Sequence, residues 1–217
     1  MAKRVLTRTS VALLCTLAAS AQAVEVTANI GYMSEYIFRG ISQSDSSAMG
    51  GVDLSADGFY LGTWGADVQQ GLEVDLYGGY NGTVGDFTYG VGGTGYFYTD
   101  DFDDDYKEVN LSLGYKIFSI AAAIGEYDNF DSPSLDYTYI APRVDYEGFY
   151  GLVGLFSQDF DTTYYEAGYG SEFEPIGVDY KISLIYTDDT SITDSDDSDS
   201  GETSLMLSVS KSFGLVD

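Results

Sequence analysis

The chain has 217 residues, of which 35 are acidic, 9 are basic and none is histidine. These counts exclude Ser-His-Asp and Cys-His catalysis and an imidazole metal site, and they leave no basic surface for nucleic acid. Disorder is excluded as well, because 44% of the residues are hydrophobic and 15% are aromatic. What remains is a very acidic chain that is also rich in glycine and tyrosine, with 26 and 20 residues.

The N-terminus predicts a secretory signal peptide over residues 1–23. Lys3, Arg4 and Arg8 form a basic start, an apolar stretch follows, and Ala21-Gln22-Ala23 has the small-x-small pattern of a cleavage site. Cleavage there would leave residues 24–217 as one domain.

Two other interpretations of this segment are weaker. Lipoprotein processing at Cys15 would need a small residue before the cysteine, whereas Leu14 precedes it. A membrane-spanning helix needs about 20 apolar residues, about twice the length of the apolar run. The predicted mature domain loses three basic residues and no acidic one, so its formal net charge falls from -26 to -29. It contains no cysteine and therefore no disulfide.

After residue 24 the apolar residues alternate with a period of two rather than recurring at helical spacing. From Val24 to Phe38 the even positions are largely apolar and the odd positions largely polar, which predicts one strand over residues 25–39. About twelve such segments follow one another, with ten to fourteen compatible with the pattern. They are predicted near residues 25–39, 50–57, 58–68, 72–81, 86–99, 106–118, 119–127, 136–147, 148–157, 162–172, 175–187 and 202–213.

The connections between these segments alternate in length. Connections after odd-numbered strands are mostly longer and acidic, at residues 42–49, 100–105, 128–135 and 188–201. Those after even-numbered strands are short, as at Asp57-Gly58, Phe118-Ser119 and Glu147-Gly148, and Asn81-Gly82 is a further turn signal. This alternation is typical of an up-and-down antiparallel barrel in an outer membrane. The predicted fold class is therefore an all-β transmembrane β-barrel.

A soluble β-sandwich would also explain alternation alone. It would not require aromatic residues at strand ends, where membrane barrels carry interfacial girdles. Together with the export signal, these aromatic residues favour the membrane barrel. The predicted girdle residues are Tyr36, Phe38, Tyr80, Phe97, Tyr98, Tyr115, Tyr127, Tyr146, Tyr186 and Phe213.

Residues 36–43, with the sequence YIFRGISQ, resemble the signature of the TorF family of proposed porins, which is also described as a Gcw-type bacterial protein of unknown function. Residues 58–64, 73–80 and 209–213 resemble further blocks of that family, but only Phe38-Arg39-Gly40 is at all specific. The resemblance implies an outer-membrane barrel without catalytic residues. Phe213 departs from many barrel proteins, which end on their terminal aromatic residue, because four residues follow it.

If the apolar faces meet lipid, the opposite faces line the lumen. Charged residues there would form either structural ion pairs that fill the barrel or a constriction that sorts solutes by charge. Arg39 inclines toward the second role because it begins the first long loop. The lumen candidates are Glu35, Arg39, Glu73, Asp75, Glu108, Lys116, Arg143, Asp145, Asp179 and Lys181, and Glu25, Asp53 and Glu166 share their faces.

Aspartate runs in two predicted loops raise the hypothesis of calcium binding. Neither run has the spacing of a calcium-binding loop, so a solvated acidic loop with at most weak cation association is favoured. The residues concerned are Asp100, Asp101, Asp103, Asp104, Asp105, Asp194, Asp196, Asp197 and Asp199.

The leading functional prediction is passive diffusion of small hydrophilic solutes or ions across the outer membrane, with cations favoured by acidic outer loops. A non-conducting structural or surface-interaction barrel filled by ion pairs is the alternative. An outer-membrane hydrolase is disfavoured because no histidine base is available. No resident metal or cofactor is expected, the partners are membrane lipid and small solutes, and the oligomeric state is left open.

Overall fold

The structure, a computed structural model, describes residues 24–188 and 201–216. In that part of the chain it consists of fourteen strands joined by turns and loops. The strands are β1 Glu25–Met33, β2 Tyr36–Phe38, β3 Ile41–Ser44, β4 Ser47–Ala56, β5 Phe59–Asp67, β6 Leu72–Val84, β7 Phe87–Tyr98, β8 Tyr106–Tyr115, β9 Phe118–Tyr127, β10 Leu135–Tyr146, β11 Phe149–Gln158, β12 Thr163–Phe173, β13 Val178–Thr187 and β14 Glu202–Val216.

Twelve of these strands close into a single antiparallel barrel. Strand β4 pairs with β1, each strand from β4 to β14 pairs with the next along the chain, and β14 returns to β1. The closure satisfies the backbone of every barrel strand on both edges, as a lipid environment requires. The predicted all-β, up-and-down barrel of about twelve strands is confirmed. Strands β2 and β3 form a separate hairpin.

The outer surface of the barrel is a belt of exposed apolar side chains. It follows from the period-two alternation, since every second residue of a strand points away from the lumen. In the described residues, no helix is long and apolar enough to cross a membrane. A belt of this composition matches the hydrocarbon layer of a bilayer. Its members include Ile30, Tyr32, Val52, Leu54, Leu61, Val74, Leu76, Val91, Val109, Leu111, Leu113, Ile120, Ile124, Ile140, Leu155, Leu184, Leu205, Leu207 and Val209.

One end of the barrel, the turn end, carries the short connections. Asp57-Gly58 and Glu147-Gly148 both have positive φ at their two residues, with values of 53° and 85° and of 50° and 86°. This is the geometry of the tight hairpin turns that match strand twist. Asn81-Gly82 is not a turn, because β6 continues to Val84 and the chain reverses at residues 85–86. The turn predicted at residues 118–119 lies instead at residues 116–117.

The opposite end, the loop end, carries the longer connections at residues 99–105 and 128–134 and two four-residue connections at 68–71 and 159–162. The predicted alternation of long and short connections therefore holds at residues 99–105 and 128–134, whereas 68–71 and 159–162 are no longer than the turn-end connection at 174–177. The acidic connection over residues 189–200 lies outside the described residues.

The first predicted strand is wrong in its second half. Strand β1 ends at Met33, and the chain then forms the β2–β3 hairpin, Tyr36–Ser44, which we call the lumen hairpin. This hairpin replaces the long loop predicted over residues 42–49. The alternation of apolar and polar residues continues past Met33 because the buried ring of Tyr36 and the half-buried ring of Phe38 pack against the barrel interior instead of meeting lipid.

Four of the predicted girdle residues, Tyr36, Phe38, Tyr98 and Tyr127, accordingly lie inside the barrel. Tyr98 and Tyr127 share the inward register of Tyr96, which is set by the period of two. Four others do remain on the exposed exterior, namely Tyr115, Tyr146, Tyr186 and Phe213.

Glycines and tyrosines interlock inside the barrel. A Cβ at Gly125 would overlap the ring of Tyr137, and one at Gly154 would overlap the ring of Tyr164. Each ring lies across the space that a neighbouring side chain would occupy. The unusual abundance of both residue types thus has one packing reason, because large inward rings need inward positions without side chains.

Candidate functional site

The lumen hairpin turns on Arg39 and Gly40. Both residues have positive φ, of 48° and 88°, which suits a two-residue turn and favours glycine at the second position. A Cβ on Gly40 would lie 2.7 Å from Cβ and Cγ of Tyr164 and 2.9 Å from Oγ1 of Thr187. The Phe38-Arg39-Gly40 block therefore has a structural role, since it makes the tight tip that fits against the barrel wall.

The side chain of Arg39 reaches β8. Its Nη1 donates to Glu108 Oε2 at 2.9 Å and its Nη2 donates to Oε1 at 2.8 Å. The guanidinium also lies over the rings of Tyr139 and Phe38, with Cζ 4.2 and 4.8 Å from the centroids. A bidentate ion pair combined with aromatic stacking uses both the fork and the flat faces of the guanidinium.

Glu108 is the centre of a polar network. Besides the two bonds from Arg39, its carboxylate accepts hydrogen bonds from Tyr96 Oη at 2.7 Å, Asn110 Nδ2 at 2.6 Å and Tyr137 Oη at 2.9 Å. The Glu108 side chain has no exposed surface and that of Arg39 is 14% exposed. A buried carboxylate with this many donors is fully compensated, which holds the hairpin in one position.

Other contacts tie the lumen hairpin and its entry to further walls of the barrel. Tyr36 Oη donates to Glu73 Oε1 on β6 at 2.7 Å. Thr187 Oγ1 on β13 donates to the carbonyl of Gly40 at 2.6 Å. Ser204 Oγ on β14 donates to Glu35 Oε1 at 3.0 Å. Since β6, β8 and β13 lie in separate sectors of the barrel, the hairpin crosses the lumen.

A second set of charged side chains lies nearer the turn end than the Arg39–Glu108 pair. Lys181 on β13 is 3.4 Å from Glu166 on β12, and Tyr150 on β11 donates to the same carboxylate. Arg143 pairs with Asp145 at 2.6 Å, and its guanidinium lies 4.1 Å from the centroid of the Tyr150 ring. These pairs are more exposed than Arg39–Glu108, so their screening by water is stronger.

The two ends of the lumen differ in solvent exposure. Lumen-facing side chains near the loop end, such as Tyr137 and Tyr164, are 2 to 3% exposed. Toward the turn end, lumen-facing Asn81, Ser112 and Ala121 are exposed. A cavity of about 150 Å³ lies beside Arg39 on this side, where Tyr60, Asn81, Asn110 and Ser112 belong to its lining. A polar vestibule therefore opens at the turn end and narrows at the lumen hairpin.

Three lumen candidates lie away from this narrowing. Lys116 was expected to line the lumen, but it lies in the turn at residues 116–117. Its side chain is 59% exposed, and its Nζ lies 4.0 Å from the Asp86 carboxylate. Asp179 faces inward near the turn end but is exposed. Glu35 precedes the lumen hairpin. The structure thus brings Arg39, Glu73, Asp75 and Glu108 to one level and Arg143, Asp145 and Lys181 to another.

The acidic loop at residues 100–105 is partly used in packing. Asp103 accepts hydrogen bonds from Tyr106 Oη at 2.9 Å and Tyr127 Oη at 2.8 Å. Asp104 accepts one from the backbone of Phe130. Burial and the neighbouring carboxylate of Asp104 raise the pKa of Asp105 above its usual range.

Within residues 24–188 and 201–216, no group of three or more His, Cys, Asp or Glu side chains converges as a metal site. The remaining acidic-loop candidates, Asp194, Asp196, Asp197 and Asp199, lie outside the described residues. Asp100 and Asp101 lie at the loop end with positive φ of 60° and 55°.

The tyrosines that surround the hairpin were missed as site residues from the sequence. Tyr96, Tyr137, Tyr139 and Tyr164 are buried and contact Arg39, Glu108 or Gly40. The available signal was their register, since Tyr137 and Tyr139 alternate with outward-facing Ile140 on β10. Tyrosine suits both lipid interface and lumen, so its identity alone did not indicate the face.

Comparison with known proteins gives one family and several structures. The family described as "Bacterial protein of unknown function (Gcw_chp)" matches residues 17–213. No curated protein matches the sequence. A structure from work on the mechanism of in-meso crystallization of membrane proteins has a TM-score of 0.58 at 9% identity, covering 88% of this chain and 84% of the other. That likeness is one of fold alone.

Two further structures show weaker likeness. OccK2 (OpdF) of Pseudomonas aeruginosa, solved in complex with glucuronate, has a TM-score of 0.40 at 12% identity, covering 85% of this chain and 61% of the other. A BenF-like porin of Pseudomonas fluorescens Pf-5 has a TM-score of 0.42 at 9% identity, covering 84% and 58%. The chain spans about three-fifths of the length of these two proteins.

Proposed function

The chain belongs to the Gcw_chp family of bacterial proteins of unknown function, and we propose that it is an outer-membrane channel for passive diffusion of small hydrophilic solutes or ions. The signal peptide of residues 1–23 would deliver residues 24–217 to the outer membrane, where the apolar belt meets lipid. The loop end would face the exterior and the turn end the periplasm. The more specific name of TorF porin stays a prediction.

One observation supports the channel above all others. The lumen has a polar, solvent-exposed vestibule at the turn end that leads to the charged narrowing around Arg39 and Glu108. A barrel with only a structural role has no need for a wet interior. Charged groups facing each other at a narrowing are the arrangement by which pores sort solutes. No reacting group is required, so we propose a transport protein without enzymatic activity.

We further propose that the channel favours cations. The described loops at residues 99–105, 128–134 and 159–162 contain aspartates and no lysine or arginine. Lys107, at the start of β8, pairs with Asp128 at 2.6 Å and compensates one of these charges. The remaining carboxylates give the loop end a negative potential that raises the local cation concentration.

The second candidate is a non-conducting barrel with a structural or surface-interaction role. It is favoured by the lumen hairpin, which crosses the lumen near the loop end and contacts β6, β8 and β13. In that case four ion pairs would serve packing alone, namely Arg39–Glu108, Lys116–Asp86, Arg143–Asp145 and Lys181–Glu166.

Single-channel recording in planar bilayers separates the two candidates. Purified barrel, refolded and checked for heat-modifiable migration in a gel, should give steady current with a reversal potential on the cation side. Folded protein that carries no current in several preparations would instead support the filled barrel. A clear anion preference would refute the role of the loop charges and leave the pore itself intact.

A further inference from the structure

Two carboxylates lie next to each other in the lumen wall without a basic partner. Glu73 and Asp75 are two residues apart on β6, so both side chains point inward. Glu73 has no exposed surface and Asp75 is 8% exposed. None of the ion pairs found in residues 24–188 and 201–216 includes either residue. The wall therefore carries two uncompensated acidic groups at this point.

Each of these carboxylates keeps one oxygen without a hydrogen bond. Tyr36 Oη donates to Glu73 Oε1, but Glu73 Oε2 and Asp75 Oδ1 are buried and have no partner in the described structure. An unpaired anionic oxygen away from water is costly, and two close together also repel each other. The contrast with Glu108, which accepts five hydrogen bonds, shows how this barrel compensates a buried carboxylate when it has donors available.

The neighbouring strands supply no positive charge. The register sets Glu73 between Ala66 and Tyr98, and it sets Asp75 between Trp64 and Tyr96. These neighbours are apolar or phenolic. The nearby hairpin contributes the hydroxyl of Tyr36, while its guanidinium is held by Glu108. No basic side chain therefore pairs with these two carboxylates, which leaves a bound cation or a shared proton to compensate their charge.

We propose that Glu73 and Asp75 together bind one divalent cation of the Ca²⁺ class in the lumen wall beside the hairpin. Two ionised carboxylates carry the charge that a divalent ion neutralises, and carboxylate oxygens are the donors that hard cations prefer. The unpaired Glu73 Oε2 and Asp75 Oδ1 would be ligands, with water completing the coordination. The site stands whether or not the barrel conducts, because it depends on the wall and not on an open path.

Terbium luminescence tests this site, because Tb³⁺ replaces Ca²⁺ and emits when excited through a nearby indole. Trp64 is the only tryptophan of the chain. It is the cross-strand neighbour of Asp75, and its ring centroid lies 5.7 Å from that of Tyr36. Tryptophan-selective excitation of the refolded barrel with Tb³⁺ should give sensitised emission that excess Ca²⁺ removes.

Two variants remove the proposed ligands one at a time. Glu73→Gln and Asp75→Asn should each weaken the Tb³⁺ affinity by about tenfold or more, since even outer-shell groups of metal sites can have effects of this size. The double variant Asp100→Asn with Asp101→Asn, in the acidic loop, should keep the emission. When a chelator removes metal ions, the Glu73→Gln variant should unfold at a denaturant concentration no lower than that of the wild type. Added Ca²⁺ should then stabilise the wild type and not the variant.

Other results would overturn the site. Wild-type barrel without tryptophan-sensitised emission, or with emission that both variants retain, excludes a cation at Glu73 and Asp75. An infrared band of a protonated carboxyl group that disappears in either variant, together with absent emission, would show that the two carboxylates share a proton instead. If Glu73→Gln does not fold, Asp75→Asn and the Ca²⁺ competition in wild type still decide the outcome.

Discussion

Arg39 and Glu108 are 69 positions apart in the chain and form a bidentate ion pair across the barrel lumen. The pair joins the tip of the lumen hairpin to β8, on a wall separated from β1 and β4 by several strands. Because Glu108 is also held by Tyr96, Asn110 and Tyr137, the guanidinium enters a prepared acceptor site. The hairpin is thereby held inside the barrel instead of extending beyond its rim.

Arg39→Ala should destabilise the barrel by about 3 kcal/mol, because it leaves the buried Glu108 carboxylate without its cation. Urea unfolding of the refolded protein in detergent measures the change. Arg143→Ala is the matched control, since it removes an arginine–carboxylate pair that is 36% and 50% exposed. It should cost about 1 kcal/mol or less. An equal loss in the two variants would contradict the anchoring role of Arg39.

Gly40→Ala should displace the hairpin tip, because a Cβ there would meet the Tyr164 side chain at 2.7 Å in a backbone conformation with φ of 88°. The expected cost is about 1–3 kcal/mol, from strain at positive φ together with the clash. Gly85→Ala is the control, since Gly85 also has positive φ, at 62°, but nothing lies within 4 Å of its Cβ position.

Thermal or urea unfolding compares these two glycine variants. Gly85→Ala reports the backbone cost alone, so the difference between the two measures the contact with Tyr164. Equal stabilities would mean that the tip does not depend on this close approach.

Gly125→Ala should disturb the interior, because its Cβ would overlap the ring of the buried Tyr137, whose hydroxyl donates to Glu108. Overpacking of this kind costs about 1–3 kcal/mol. Gly93→Ala provides the comparison, since Gly93 faces outward and its nearest atom is a backbone oxygen at 3.4 Å. That variant should stay within about 0.5 kcal/mol of wild type by equilibrium unfolding. A larger loss of stability in Gly93→Ala than in Gly125→Ala would refute the interlocking of glycine and tyrosine.

Neutralising Asp100, Asp101 and Asp131 to asparagine should move the reversal potential toward zero, because these aspartates lie in the described loops at the loop end. The matched control changes Asp57, Asp86 and Glu147, at the turn end, to their amides. Selectivity due to loop charge should also weaken from 0.1 to 1 M salt, where the screening length falls from about 10 Å to about 3 Å. A larger shift in the turn-end variant would place the selective field at the wrong end of the barrel.

Several features of the barrel follow from local sequence patterns. The alternation of Val109, Leu111 and Leu113 with polar residues already marks β8 and its lipid-facing side. Asp57-Gly58 and Glu147-Gly148 mark tight turns, because positive φ at the second position of each turn favours glycine, and aspartate is also favoured at the first. The number of strands then follows from counting such segments. These properties depend on residues close together in the chain, so they can be predicted from the sequence without a structure.

The lumen hairpin is of a different kind. Its alternating residues from Tyr36 continue the pattern of β1, so no local signal separates a ring that meets lipid from one that meets the interior. The choice depends on Glu73, Glu108 and Tyr164, which lie on strands far along the chain. Local patterns along the chain are enough to specify an acidic, tyrosine-rich and glycine-rich barrel of antiparallel strands. The inward turn of its first long connection is visible only in the folded barrel, because the residues that hold it are brought together when the barrel closes.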